Sequence, residues 1–326
     1  MELGLIILNV FLLSIIFLKI YTQQDIMQNL ILSSVCFFSL YVIVSGLYFW
    51  IDRFSILAVL TICTVILVIL NIALAVKGRK ITCSIDCKRF LIPILIVLIA
   101  LPIVIPKFGF FGMGQDQGVY QTKAIDLIYG ETERQKDFEE YGELNTEEKK
   151  FFSEQINRLA GFDRYDSRKP TLSVEERKSD VSGIYHGIPT FPALLALWGS
   201  IFGIQNMAGV QTIFFICSVY LVYFIAENLK LNKLACIIST SIYALSPVVI
   251  WVSKSSLTEM FLALIFISYL YFLTDNENNK MKWISSLFIV VFSFYHVTIY
   301  TIIPLFIIVY LLLYSSTDDK QFLKAI

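Results

Sequence analysis

The chain has 326 residues, of which 57% are hydrophobic and 16% charged; 26 Lys/Arg balance 26 Asp/Glu, and mean hydropathy is +0.72. No soluble core of this size needs so much apolar surface, which excludes an ordinary soluble globule. The composition predicts an all-α, polytopic transmembrane helical protein of about 9–10 spans, and zero net charge gives no footing for a nucleic-acid partner.

In chain order, "MELGLIILNVFLLSIIFLKIY" lacks a basic leading region and a small-residue cleavage site, so residues 2–20 read as a retained span. Apolar windows predict further helices near 29–50, 54–76 and 88–106. Residues 1–87 thus form an N-terminal three-span region, and 88–315 form a second membrane module. The loop "KGRKITCSIDCKR" at 77–89 carries five Lys/Arg, which assigns it to the cytoplasm. Within it, Cys83 and Cys87 lack the second ligand pair that a structural zinc site needs. Cys36, Cys63, Cys217 and Cys236 lie inside apolar runs.

The fourth span then exits outward, and residues 107–207 form a large external loop bearing juxtamembrane helices. "NTEEKKFFSEQINRLAG" opens with Asn145 and Glu148 at capping-box spacing and carries Phe151, Phe152, Ile156 and Leu159 at helical spacing before Gly161. "FDRYDSRKP" and "SVEERKSD" read as loops. The segment 189–203, "PTFPALLALWGSIFG", spans about 22 Å as a helix, short of a hydrocarbon core of roughly 30 Å. The lysines of the later loops prefer the cytoplasm only if this segment does not cross, so it is expected to lie along the outer leaflet. Spans follow near 208–228, 232–252, 256–274, 282–296 and 297–315, with an outward turn near His296 and a short cytoplasmic tail at 316–326.

This topology gathers Asp116, His186, Lys254, Glu259 and His296 on one face. Ionisable groups beside apolar spans are costly, so the cluster marks a site. Each has a purely structural role beside the functional one. Asp116 suits a helix N-cap, and "SLTE" at 256–259 suits a capping box. Tyr120 suits an interfacial aromatic, Lys254 a headgroup anchor, His186 an exposed surface and His296 a turn.

The ordered set "GQDQGVYQTKAIDLIYGE", "HGIPTFPALLALWGSIFG" and "ACIISTSIYALSPVVIWVSKSSLTEMF" resembles the GT-C superfamily of integral-membrane glycosyltransferases. The likeness is to the protein-mannosyltransferase-like and aminoarabinose-transferase-like branch, over about residues 88–315. It implies sugar transfer from a polyprenyl-phosphate carrier to a glycan, lipid or protein acceptor on the external or periplasmic face of the cell membrane, with inversion. It implies Asp116 as catalytic base with Glu259 as a second catalytic acid. Tyr120, Lys123, His186, Lys254 and His296 would contact substrate, and Arg164, Arg168 and Lys169 are further phosphate candidates. Relatives often carry a second acid after the first, whereas Gln117 follows Asp116 here, leaving one hard ligand for a divalent metal. No cofactor is therefore expected; the alternative is a divalent metal with Glu259 as its second ligand. Relatives also run on where this chain stops at "STDDKQFLKAI", as a short member, a fragment or an inactive remnant would. The competing readings are a lipid-linked glycan flippase or permease, and a noncatalytic membrane partner in polysaccharide assembly. A polymerase of lipid-linked glycans is an enzymatic neighbour.

Overall fold

The computed structural model describes residues 1–20, 24–51, 53–75, 83–84, 87–109, 116–130, 145–148, 162–164, 183–185, 188–275, 283–296, 303–305, 307–308 and 311. Its principal helices are α1 (Glu2–Ile20), α2 (Ile26–Trp50), α3 (Ile56–Ala75), α4 (Cys87–Val104) and α5 (Asp116–Ile128). They continue as α6 (Thr190–Phe202), α7 (Val210–Asn228), α8 (Lys233–Ala244), α9 (Pro247–Lys254), α10 (Glu259–Thr274) and α11 (Trp283–Tyr295). A 3-10 segment, Ile204–Gly209, leads into α7. Two minimal strand pairs complete the architecture: Gln24–Asp25 parallel to Cys83–Ser84, and Phe162–Arg164 antiparallel to Gly183–Tyr185. The second pair corrects the loop reading of "FDRYDSRKP" at its first three residues.

The helices follow from apolar runs with local stop signals. Asp25 caps α2 by accepting from the Met27 N–H at 2.8 Å. Asn145 and Glu148 form the expected capping box, with reciprocal bonds of 2.9 Å. The run 232–252, expected as one helix, is two. Pro247 has no N–H to donate, and its ring disfavours helical backbone at Ser246, so α8 and α9 meet at 48°. The run 256–274 starts late, at Glu259, leaving residues 255–258 outside both flanking helices.

Among the described residues, four helices are long and apolar enough to cross a membrane, or five if the bent α8–α9 pair counts as one. The four are Glu2–Ile20, Ile26–Trp50, Ile56–Leu74 and Ile204–Asn228. α10, at 16 residues, rises about 24 Å. Helix length alone therefore does not support the full count of spans expected from hydropathy.

α7 is the axis of the bundle, packed by α2, α4, α8, α9 and α10. The segment expected to lie on the outer leaflet is a helix, α6, but Thr190 through Leu197 are all buried. It packs on α5, α2, α3, α7 and α11, so its apolar residues serve the protein core and not a lipid-facing wall. Exposed apolar surface lies elsewhere. On α3 it includes Ile62, Val65, Ile69 and Ile72, and on α4 it includes Leu91, Leu95, Leu98 and Ile99.

At one end of the bundle Arg89 joins several helices. Its Nε donates to Glu227 at 2.6 Å, and its Nη1 donates to the Gln28 carbonyl at 3.0 Å. The Gln28 amide donates in turn to the Tyr271 hydroxyl, and the Arg89 guanidinium lies 5.1 Å from the Phe224 ring centre. α2, α4, α7 and α10 are thereby fastened together.

The residues between α9 and α10 would leave carbonyls stranded in an apolar interior. Gln211, fully buried on α7, donates from Nε2 to Ser255 O at 3.0 Å and to Leu257 O at 2.6 Å. Gln211→Leu keeps the approximate volume and removes both donations. It should lower unfolding free energy by about 2 kcal/mol or more, since a buried acceptor without its partner costs about 1–3 kcal/mol. Unfolding of the detergent-solubilised protein measures this; an unchanged midpoint would show that the break is held by other contacts.

Candidate active site at the interrupted helix

Three elements converge on residues 255–258. α7 contributes Gln211. From α5, Gln121 donates to the Ser256 hydroxyl at 2.5 Å, and from α11 the Tyr295 hydroxyl donates to Thr258 O at 3.2 Å. With the break pinned on three sides, Glu259 is the first residue of α10 and is exposed. The expected capping box does not form. Thr258 occupies the N-cap without a side-chain cap bond, and the Ser256 hydroxyl is engaged by Gln121. No described residue hydrogen-bonds the Glu259 carboxylate. Its negative charge still suits the positive end of the helix.

Asp116 is the first helical residue of α5, one place inside the N-cap expected for it, and it is exposed. Beyond this exposed first residue, α5 is turned into the protein through Tyr120, Gln121, Lys123, Ala124 and Leu127, of which Tyr120, Lys123 and Leu127 follow Asp116 along the same face at helical spacing. Tyr120 meets Phe191 of α6 edge-on at 5.4 Å. Phe191 meets Tyr295 at 6.1 Å, and Tyr295 meets Phe261 of α10 at 4.8 Å. This run of rings joins α5, α6, α11 and α10.

Electrostatics bring the two acids together at Tyr120. Burial, then the Asp116 and Glu259 carboxylates, push the phenol up to about 12, so it remains an O–H donor. His296 follows the end of α11, as expected for a turn there. Burial pushes its imidazole below the usual value, and Glu259 opposes that shift. Asp116, Tyr120, Glu259 and His296 therefore share one electrostatic neighbourhood.

The cations divide differently. Lys123 is 1% exposed and engaged inside the fold, away from solvent. Lys254 ends α9 with its ammonium 4.9 Å from the Phe108 ring centre. Lys107 lies beside it, donating to Ser253 O at 2.7 Å, while the Phe108 N–H donates to Lys254 O at 3.0 Å. His186, Arg168 and Lys169 fall outside the described residues, as do the side chains of Arg164, Cys83 and Cys87.

Lys107, Gln121, Gln211 and Tyr295 are the site residues that sequence reasoning missed. The lone amide in "VQTIFFICSV" was a usable signal, because a carboxamide in an apolar helix needs a partner. For a metal, Asp116, Glu259 and His296 are the ligand types at this end. No group of three or more His, Cys, Asp or Glu converges among the described residues. Compared with protein-family profiles, with curated proteins and with solved structures, the chain matches none.

Burial, reinforced by Lys254, pulls the Lys107 ammonium from 10.5 down to about 7. Between those values the unfolded chain binds a proton that the folded chain does not, so stability rises with pH there and is lost as pH falls toward 7. Lys107→Met abolishes this component. The variant's advantage in melting temperature over the parent should be larger at pH 7 than at pH 9.5. An advantage of equal size at both would show that Lys107 is as freely charged as a surface lysine.

Proposed function

We propose that the chain is a polytopic membrane glycosyltransferase. It moves a sugar from a polyprenyl-phosphate carrier to an acceptor hydroxyl, with inversion, in cell-envelope glycan or glycoconjugate synthesis. The membrane part of this reading is supported by the four long apolar helices and by the exposed aliphatic faces of α3 and α4, which water would penalise. The catalytic part is supported by the convergence of α5, α7 and α11 on residues 255–258, beside which Asp116 and Glu259 are exposed at the first turns of two different helices and both raise the pKa of the Tyr120 phenol.

In this reading Asp116 takes the proton from the acceptor hydroxyl as its oxygen attacks the anomeric carbon. The bond from that carbon to the carrier phosphate breaks, and the phosphate leaves with the electron pair. Tyr120, its pKa raised, keeps its proton and offers it to a bound hydroxyl or phosphate oxygen. Glu259, free of a capping role, is available to hold a sugar hydroxyl. The phosphate's developing charge is offset from the cationic side of the same break, where Lys254 sits. α6, buried as it is, positions Tyr120 through Phe191, and the isoprenoid tail runs along the outer aliphatic faces.

Sidedness follows from the basic loop. Single cysteines placed at 131–144 should react with an impermeant reagent from outside, while those at 77–82 and 277–282 should not. External labelling at 277–282 would overturn the non-crossing assignment of 189–203 and the shared face that depends on it.

Asp116→Asn retains size and helix-start compatibility but removes the base. With polyprenyl-phosphate sugar as donor, release of free polyprenyl phosphate should fall by about a hundredfold or more, within the range typical of a general base. Glu259→Gln should also lose turnover while melting normally, since its carboxylate holds no described hydrogen bond. Near-parental turnover in Asp116→Asn would sink the catalytic assignment.

A further inference from the structure

We propose that Lys107 and Lys254 together form a seat for a phosphate group, placed where the chain leaves α4 and α9 ends. The inference rests on the sugar-transfer reading only in giving the carrier's phosphate a location.

The two lysines meet across neighbouring residues, Lys107 reaching the carbonyl before Lys254 and Lys254 reaching the ring after Lys107, and like charges gain nothing from proximity unless an anion shares them. Both lysines have contacts that keep them at this end. The Lys107 ammonium is fixed on Ser253 O, Phe108 is fixed by its N–H on Lys254 O, and the Lys254 ammonium rests near the Phe108 ring. The Arg89–Glu227 ion pair, which joins α4 to the end of α7, involves neither of them. Capping the last carbonyls of α9 accounts for one cation there. It does not account for a second that burial and its neighbour drive toward neutrality. An arriving phosphate reverses that penalty by restoring a full charge to Lys107.

The surroundings point to a phosphate carried on a hydrocarbon. The helices that bring the two lysines together both have exposed apolar flanks: Ile99 and Ile103 with Ile105 just beyond on the α4 side, Val248 and Trp251 on α9. A ligand with an aliphatic tail along these flanks places its head at the lysine pair. Lys254 and Glu259 bound the same helix break, so the seat and the Glu259 carboxylate flank residues 255–258.

The test uses the full chain in phosphatidylcholine nanodiscs and reads its melting temperature against ligand concentration. The probes are dodecyl phosphate, dodecyl phosphocholine and inorganic phosphate. Dodecyl phosphate should stabilise, and dodecyl phosphocholine, whose phosphate is masked by its own cation, should do so far less. Inorganic phosphate acting at similar concentration would mark a free-anion source, and a much weaker effect would mark a lipid-borne one; either supports the seat. Lys107→Gln and Lys254→Gln should each raise the half-saturating concentration by about tenfold or more, as expected for loss of a charge-assisted hydrogen bond. Lys107→Arg should restore it, which separates lost charge from a damaged fold. Equal stabilisation of the parent and both Gln variants, or no stabilisation by any phosphate probe, overturns the proposal. Because no sugar transfer is measured, the seat can stand where the enzymatic reading fails, and the reverse.

Discussion

A carboxamide buried in an apolar bundle donates to two carbonyls of an interrupted helix, and the rest of the candidate site is arranged around that bond. Backbone that leaves helical geometry away from water must find partners within the protein. Gln211 supplies them to Ser255 and Leu257, which lets α9 stop and α10 begin without stranding either carbonyl. Gln121 and Tyr295 secure the remaining residues of the break from α5 and α11. Glu259 is exposed and fixed because the four residues before it are immobilised by side chains from three other helices.

Around this break the charges are sorted. Acids gather on the Tyr120 side, and amines gather where α9 ends. An arrangement of that kind suits a ligand that presents hydroxyls at one end and an anion at the other. The aromatic run from Tyr120 through Phe191 and Tyr295 to Phe261 ties the acid side to the middle of the bundle. Each ring has only two side-chain torsions to order, so such a run fixes geometry at low entropic cost.

Much of the helical layout was legible because burying or embedding an apolar run depends on its sum, and hydropathy measures sums. α1, α2, α3 and α4 begin and end within a few residues of their expected positions, and the Asn145–Glu148 box was readable from spacing alone. What escaped was decided by individual backbone groups. Pro247 splits a run whose hydropathy is continuous, and the start of α10 moves from the apolar onset to Glu259 because three distant side chains hold the turn before it. The capping box at Ser256 failed for the same reason: a long-range donor, Gln121, competes for the hydroxyl. Lys107 was visible as a residue but not as a partner of Lys254, since nothing in their spacing announces that Ser253 O would draw its ammonium in. The burial of α6 was hidden too, because a short apolar helix reads alike whether lipid or protein covers it.

The Arg89 chain lies away from all this chemistry and bears on it mechanically. With α2, α4, α7 and α10 clasped through Arg89, Gln28, Glu227 and Tyr271, these helices are tied at one end of the bundle. At the other end, where α4 leads to Lys107 and α10 begins with Glu259, the bonds of the interrupted helix tie them again. A sheaf of rods lashed at both ends resists splaying along its whole length, so the lysine and the carboxylate keep their spacing through a framework whose far lashing touches neither of them.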